Sequence, residues 1–117
     1  MRANMKYIDK PWGHEIVWAS TGLYLGKILH INIGQMMSLH HHEQKDETLY
    51  VYRGKVDVLI EDAEGNMRSH VHSEGSTIHI AAGVNHRIIA VTDAELLEVS
   101  TPFPDDIVRL KDQYGRV

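Results

Sequence analysis

The chain has 117 residues, a formal net charge of −4, 43% apolar and 24% charged residues, and no cysteine. That is one domain of ordinary globular composition, expected over residues 1–117. The net negative charge and scattered Lys and Arg speak against nucleic acid as a partner. No apolar run is long enough to span a bilayer and the N-terminus lacks a signal-peptide core, so a cytoplasmic protein is expected. Disulfides and thiolate metal ligands are excluded, whereas nine histidines are an excess that calls for a reason.

In chain order, the N-terminal "MRANMKYIDKPWG" is a candidate for a short helix. "GLYLGKILHI" (22–31) is apolar and strand-like. "TLYVYRG" and "KVDVLI" are rich in β-branched and aromatic residues, with a tight turn at Arg53-Gly54. "EDAEGN" (61–66) has hairpin-turn composition with Gly65-Asn66 at its tip. "MRSHVH", "STIHI", "HRIIAV" and "AELLEVS" follow at even spacing, the pattern of a β-sandwich or barrel. "PDDIVRLKDQYGR" (104–116) is the second candidate helix: Asp105 or Asp106 would cap it, and Ile107, Leu110 and Tyr114 would share a face. The expected fold is an all-β barrel with a short C-terminal appendage.

The chemistry concentrates in "GQMMSLHHHEQKDETLYVYRG" (34–54). Residues two apart on a strand share a face about 6.5–7 Å apart, so His40 and His42 point one way and His41 the other. Glu47 has the wrong parity for an unbroken strand, and the polar "EQKD" is expected to act as a turn or bulge that returns it to the same interior. "GVNHRIIAV" offers His86 after a glycine turn. Three imidazoles and a carboxylate suit one divalent transition metal ion (Zn, Mn, Fe, Co or Ni) with positions left for water or substrate. The ligands must be unprotonated, so metal is expected to leave as pH falls through about 6.

Gly34, His40-x-His42, Glu47 and Gly54 resemble the first motif of the cupin superfamily. Gly75, Ala81, Gly83 and His86 resemble the second, with Ala81 where a proline is usual and Ala90 where an asparagine often follows. "KPWG" (10–13), "AAGVNHR" (81–87) and "PDDIVRLKDQYGR" look like the cupin domain of type II mannose-6-phosphate isomerases, over nearly the whole chain. That family tends to carry Gln at the place of His40 and continues "EHW" where this chain has Glu47-Thr48-Leu49. In bifunctional enzymes the domain is joined to a guanylyltransferase half that these 117 residues lack. The resemblance implies a single-domain jelly-roll (double-stranded β-helix) barrel, a stand-alone relative, pairing as a homodimer and chemistry on a sugar or sugar phosphate.

Three functions fit these residues. A metal-dependent aldose–ketose isomerase of the mannose-6-phosphate type would polarise a carbonyl at the metal and shuttle a proton through His79, Lys45 or Glu43. Arg87, Arg109 and Lys10 would grip the phosphate, alongside Lys45 and Arg116 as further cations. A mononuclear iron dioxygenase would use the same ligand shell, and a non-catalytic sugar-binding module would use the same pocket. His70 and His72 read as outward-facing. His79 is exposed if Ile78 and Ile80 pack between sheets, and lines the pocket if they face outward. His14 is placed near the pocket mouth, Tyr50 and Tyr52 on the outer face, Trp12 as a barrel plug, and Met36 and Met37 as core fillers.

Overall fold

The computed structural model describes residues 5–117. They form eleven strands: β1 (Lys6–Lys10), β2 (Gly13–Ser20), β3 (Leu25–Ile31), β4 (Leu39–His41), β5 (Glu47–Arg53), β6 (Lys55–Glu61), β7 (Met67–Ser73), β8 (Thr77–Ile80), β9 (His86–Ala90), β10 (Ala94–Ser100) and β11 (Val108–Lys111). No helix occurs among the described residues, and so none long and apolar enough to cross a membrane. One sheet runs β1-β2-β3-β10-β5-β8 and the other β11-β4-β9-β6-β7, with neighbouring strands antiparallel throughout the described residues.

Period-two alternation decides which side chains meet between the sheets. In β5, Glu47, Leu49 and Val51 are buried while Tyr50 and Tyr52 stay exposed, the faces expected from the sequence. Val56 and Val58 of β6, Ile88 of β9 and Leu96 of β10 close the apolar interior from both sides. Trp12 is also part of that interior, and Met37 packs with it. β5 and β6 lie in different sheets, so the turn between them must change layers. Gly54 makes it with φ +81°, and a Cβ there would fall 2.1 Å from the Asp93 carbonyl oxygen. The 62–66 turn joins β6 to β7 as a hairpin, with both Oδ1 contacts of Asp62 accepting backbone N–H groups of Glu64 and Asn66.

Neither candidate helix forms where it is described. The N-terminal one falls partly on residues 1–4, outside the described residues, and from Lys6 the chain is strand β1. The C-terminal one is replaced by β11, because Val108 and Arg109 pair with His41 and His40 of β4. Ile107 and Leu110 are exposed, and only Tyr114 packs against the core, donating its hydroxyl to Gln35 Oε1 at 2.5 Å. A segment that can satisfy its backbone on a neighbouring strand need not form helix, whatever its local periodicity.

Candidate metal centre

β4 and β9 are neighbours, and their pairing sets His40 directly opposite His86. His42 follows β4 and faces the same space. The three side chains are buried, at 6%, 7% and 1% exposure. Their ring centroids lie 4.4 Å (His40–His86), 5.0 Å (His40–His42) and 5.5 Å (His42–His86) apart. One ring nitrogen from each lies within 4.8 Å of the other two, close enough to hold one metal ion.

The opposite edge of each ring is tied down. His40 Nδ1 lies 2.8 Å from the Ser38 carbonyl and His86 Nδ1 2.9 Å from the Val84 carbonyl, while His42 Nδ1 bonds the Asp106 carbonyl. A carbonyl can only accept, so each Nδ1 carries a proton and, in the neutral ring, Nε2 is the nitrogen left with a lone pair for the centre. Glu47 enters from the other sheet. Its Oε2 is 3.5 Å from His42 Nε2 and its Oε1 3.6 Å from His86 Nε2. Imidazole nitrogen and carboxylate oxygen are the donor set that divalent first-row metals take.

Of the turn or bulge expected before Glu47, the structure has a turn that changes sheets. After His41 the chain leaves the five-stranded sheet, and at Glu47 it starts a strand of the six-stranded one. The "EQKD" loop is that crossing, and Asp106 fastens it. Its carboxylate accepts the backbone N–H groups of Glu43 (2.9 Å), Gln44 (2.7 Å) and Lys45 (2.9 Å). The Gln44 and Glu43 donors hold the Asp106 carboxyl below the usual carboxylate range. Asp106 thus orients both a histidine and the loop beside it.

A row of buried charges continues from Glu47. Lys45 Nζ lies 3.0 Å from Glu47 Oε2 and 3.0 Å from Glu98 Oε2. Burial acts to lower the Lys45 pKa, but the Glu98 and Glu47 charges outweigh it and hold the ammonium form above its usual range. Lys27 stands opposite Glu98 in the β3–β10 register and pairs with Glu15 at 3.3 Å. All five side chains line one cavity of ≈ 110 Å³ together with the three histidines. Trp12, Leu29, Met37, Leu49 and Ile88 form its apolar wall.

Of the other residues singled out in the sequence, Lys45, Lys10, Arg109 and Arg116 line the cavity. Arg109 sits opposite His40, and its Nε is buried with no hydrogen-bond partner among the described residues. Lys10 is pushed below its ordinary pKa by burial and by the charges of Lys27, Arg109 and Arg116. Arg116 is held by Asp112 through two 2.9 Å contacts. His79, Glu43 and Arg87 are not among the cavity-lining residues. His79 is exposed on the outer face opposite Thr48 and contacts Asp46 at 2.7 Å. Arg87 donates to the Met37 and Lys111 carbonyls, tying β9 to the segment of β11. Glu43 is exposed. His41 turns to Asn85, His70 is exposed, His72 contacts Ser76, and His14 stacks between Tyr7 and His30.

Glu98, Lys27, Glu15 and Asp106 were not legible as site residues. A signal existed for two of them: Glu98 shares the parity of Ala94 and Leu96, and Lys27 that of Leu25 and Leu29, so each puts a charge on an inward strand face.

The comparisons with known proteins agree with this architecture. The family model described as "Cupin domain" matches residues 27–100. This chain belongs to the cupin family. The cupin is 29% identical over 109 residues to a mannose-1-phosphate guanylyltransferase of Sinorhizobium fredii, covering 89% of this chain and 20% of that one. It therefore spans about a fifth of that relative's length. Among solved structures, KdgF from Halomonas sp. matches with a TM-score of 0.73 at 22% identity, over 86% of this cupin and 88% of that chain. Oxalate decarboxylase from Bacillus subtilis matches with a TM-score of 0.81 at 19% identity, over 100% of this cupin and 35% of that chain. Another structure of the same decarboxylase, at 18% identity and a TM-score of 0.80 over 97% of this cupin and 32% of that chain, concerns its Mn(II) centres. These structures establish the shared fold.

Protonation of the centre departs from the simple expectation. Burial first, then the neighbouring His86 and His42, push His40 down to about 2, and burial lowers His86 as well. Two of the imidazoles thus resist protons below the expected value near 6. The sign for stability follows. The unfolded chain takes up these protons below about 6.5 and the folded chain refuses them, so the contribution is complete above 6.5 and is lost as pH falls from there toward 2. For metal-free protein, His40 alone should cost about 2 kcal/mol between pH 7.5 and pH 5. Urea unfolding midpoints at the two pH values check this. His40→Gln should flatten the dependence, and an equally steep fall in that variant would contradict it.

Proposed function

We propose that this cupin is a metal-dependent aldose–ketose isomerase acting on a sugar phosphate of the mannose 6-phosphate type. The observation that carries the reading is a small cavity lined by three buried imidazoles, Glu47, Lys10 and Arg109, whose Nε has no hydrogen-bond partner among the described residues. The similarity to a mannose-1-phosphate guanylyltransferase, an enzyme of hexose phosphate chemistry, supports the same substrate class.

In this reading His40, His42, His86 and Glu47 hold one divalent ion, and the Mn(II) centres of the decarboxylase make Mn²⁺ the first ion to try. When bound, the ion supplies Lewis-acid polarisation of the substrate carbonyl. The chain's own residues do the rest. Arg109, with a free Nε, and Lys10 receive the phosphate; the guanidinium fork suits its oxygens. Lys45, the one of the three acid–base candidates that lines the cavity, would lend its ammonium proton to the carbonyl oxygen, take the C2 proton as the amine, return it to C1 and recover its own proton from the second oxygen. Trp12, Met37 and Ile88 keep water from one wall. The reaction moves one proton from C2 to C1 and one between the two oxygens, so no co-reactant is needed.

Phosphorus and proton NMR of the Mn²⁺-loaded protein with mannose 6-phosphate should show fructose 6-phosphate accumulating, and a chelator should stop it. Arg109→Ala should raise KM tenfold or more while kcat changes less. Failure of mannose, glucose and fructose 6-phosphates to interconvert with Mn, Zn, Fe, Co and Ni alike would contradict the proposal. Oxygen consumption by the iron form would turn the reading to a dioxygenase.

We also propose a homodimer through the outer face of the six-stranded sheet. One row of that face, Tyr7, Ile16, Ile28, Leu97 and Tyr50, is aligned across five strands, and Val99 and Trp18 beside it are about half exposed. A contiguous apolar patch of this kind is what pairing would cover. Light scattering should give about twice the 13.3 kDa chain mass, and Val99→Glu should halve it. A wild-type monomer at micromolar concentration would contradict the pairing.

A further inference from the structure

We propose that Glu98 is a ligand-binding residue of the metal cavity. Its carboxylate accepts a hydrogen bond from a hydroxyl of a polyhydroxylated carbon chain whose neighbouring oxygen faces the histidine cluster. The inference rests on the sugar reading above for its class of ligand, and on nothing else in that reading.

Four observations meet at this side chain. Glu98 is 3% exposed, yet it lines the cavity. Its Oε2 is buried against the Lys45 ammonium at 3.0 Å, the one donor it meets among the described residues. It shares Lys45 with Glu47, so the two carboxylates lie within about 6 Å of each other across one nitrogen. Glu47 in turn lies 3.5 Å from His42 Nε2. The order from the imidazoles outward is therefore Glu47, Lys45, Glu98, over a span that adjacent oxygens of one carbon chain can cover.

A purely structural counter-ion would need less. Lys45 already has Glu47, and one carboxylate balances one ammonium. The second adds a buried carboxylate whose one donor among the described residues, Lys45, is shared with Glu47, so its remaining lone pairs cost free energy until a further donor arrives. A ligand hydroxyl is such a donor, and it approaches from the cavity side. A carboxylate so placed also discriminates. A ligand lacking that hydroxyl leaves the buried charge unsatisfied and is rejected more strongly than the loss of one contact implies.

The test is calorimetric binding to the Mn²⁺-loaded full chain, with metal content read by elemental analysis. The probes are glucose 6-phosphate, its 2-, 3- and 4-deoxy analogues, and inorganic phosphate. Wild type should prefer the parent sugar over one of the deoxy analogues by about tenfold or more. Glu98→Gln should bring the parent down to the level of that analogue while metal content and inorganic phosphate binding stay as in wild type. Glu98→Asp keeps a charge beside Lys45 and is expected to lose the same discrimination, which covers the case of an unfolded Gln variant. Unchanged selectivity in both variants, equal weakening of parent and analogues, or no binding of any sugar by wild type would each overturn the proposal. Discrimination through Glu98 without any NMR-detected interconversion would overturn the isomerase reading and leave this inference standing.

Discussion

Three N–H groups given to three carbonyls hold the centre in its working form. His40, His42 and His86 each spend Nδ1 on a backbone carbonyl, and the carbonyls come from residues 38, 106 and 84. Because a carbonyl accepts and never donates, backbone placement sets which tautomer each neutral ring adopts. Three separate stretches of chain must therefore arrive together before the lone pairs converge. The jelly roll does this by pairing β4 with β9 on one side and β11 on the other, while the 101–106 segment crosses the loop that precedes Glu47.

The same placement explains how the interior tolerates so much charge. An isolated buried ammonium or carboxylate costs several kcal/mol. Here Glu15, Lys27, Glu98, Lys45 and Glu47 alternate in sign along one wall, and contacts at 3.0 to 3.3 Å offset much of that cost. Strand register supplies the order, since Lys27 and Glu98 are opposite partners and Leu49 lies next in the row. Apolar side chains fill the rest of the space between the sheets, so the polar end is confined to the cavity. The outcome is a charged pocket beside the imidazole cluster, a lining that could hold a metal ion.

Much of this was legible in the sequence for one reason: strands alternate. Parity separates His40 and His42 from His41, and the structure keeps them apart, with His41 turned to Asn85. Parity also puts Tyr50 and Tyr52 outside. Which layer a strand joins is not written in its alternation. The return of Glu47 is a change of sheet, a long-range fact that local pattern does not encode. The 104–116 segment carries helical spacing, but β4 offers it a backbone partner and Asp106 gives its carboxylate to residues 43–45 instead of capping a helix. His79 alternates with Ile78 and Ile80, and only the packing of those isoleucines between the sheets shows that it faces outward. Glu98 and Lys27 carry only one local sign of their place, a charge at inward parity.

The central claim is that His40, His42, His86 and Glu47 converge on one metal ion. X-ray absorption at the metal edge, on protein loaded with one equivalent of Mn²⁺ or Zn²⁺ at pH 7, tests it most directly. The account predicts three imidazole nitrogens with the outer-shell scattering of the rings, completed by oxygen. A shell with fewer than three imidazoles, or a chain that takes up no stoichiometric metal, would contradict it.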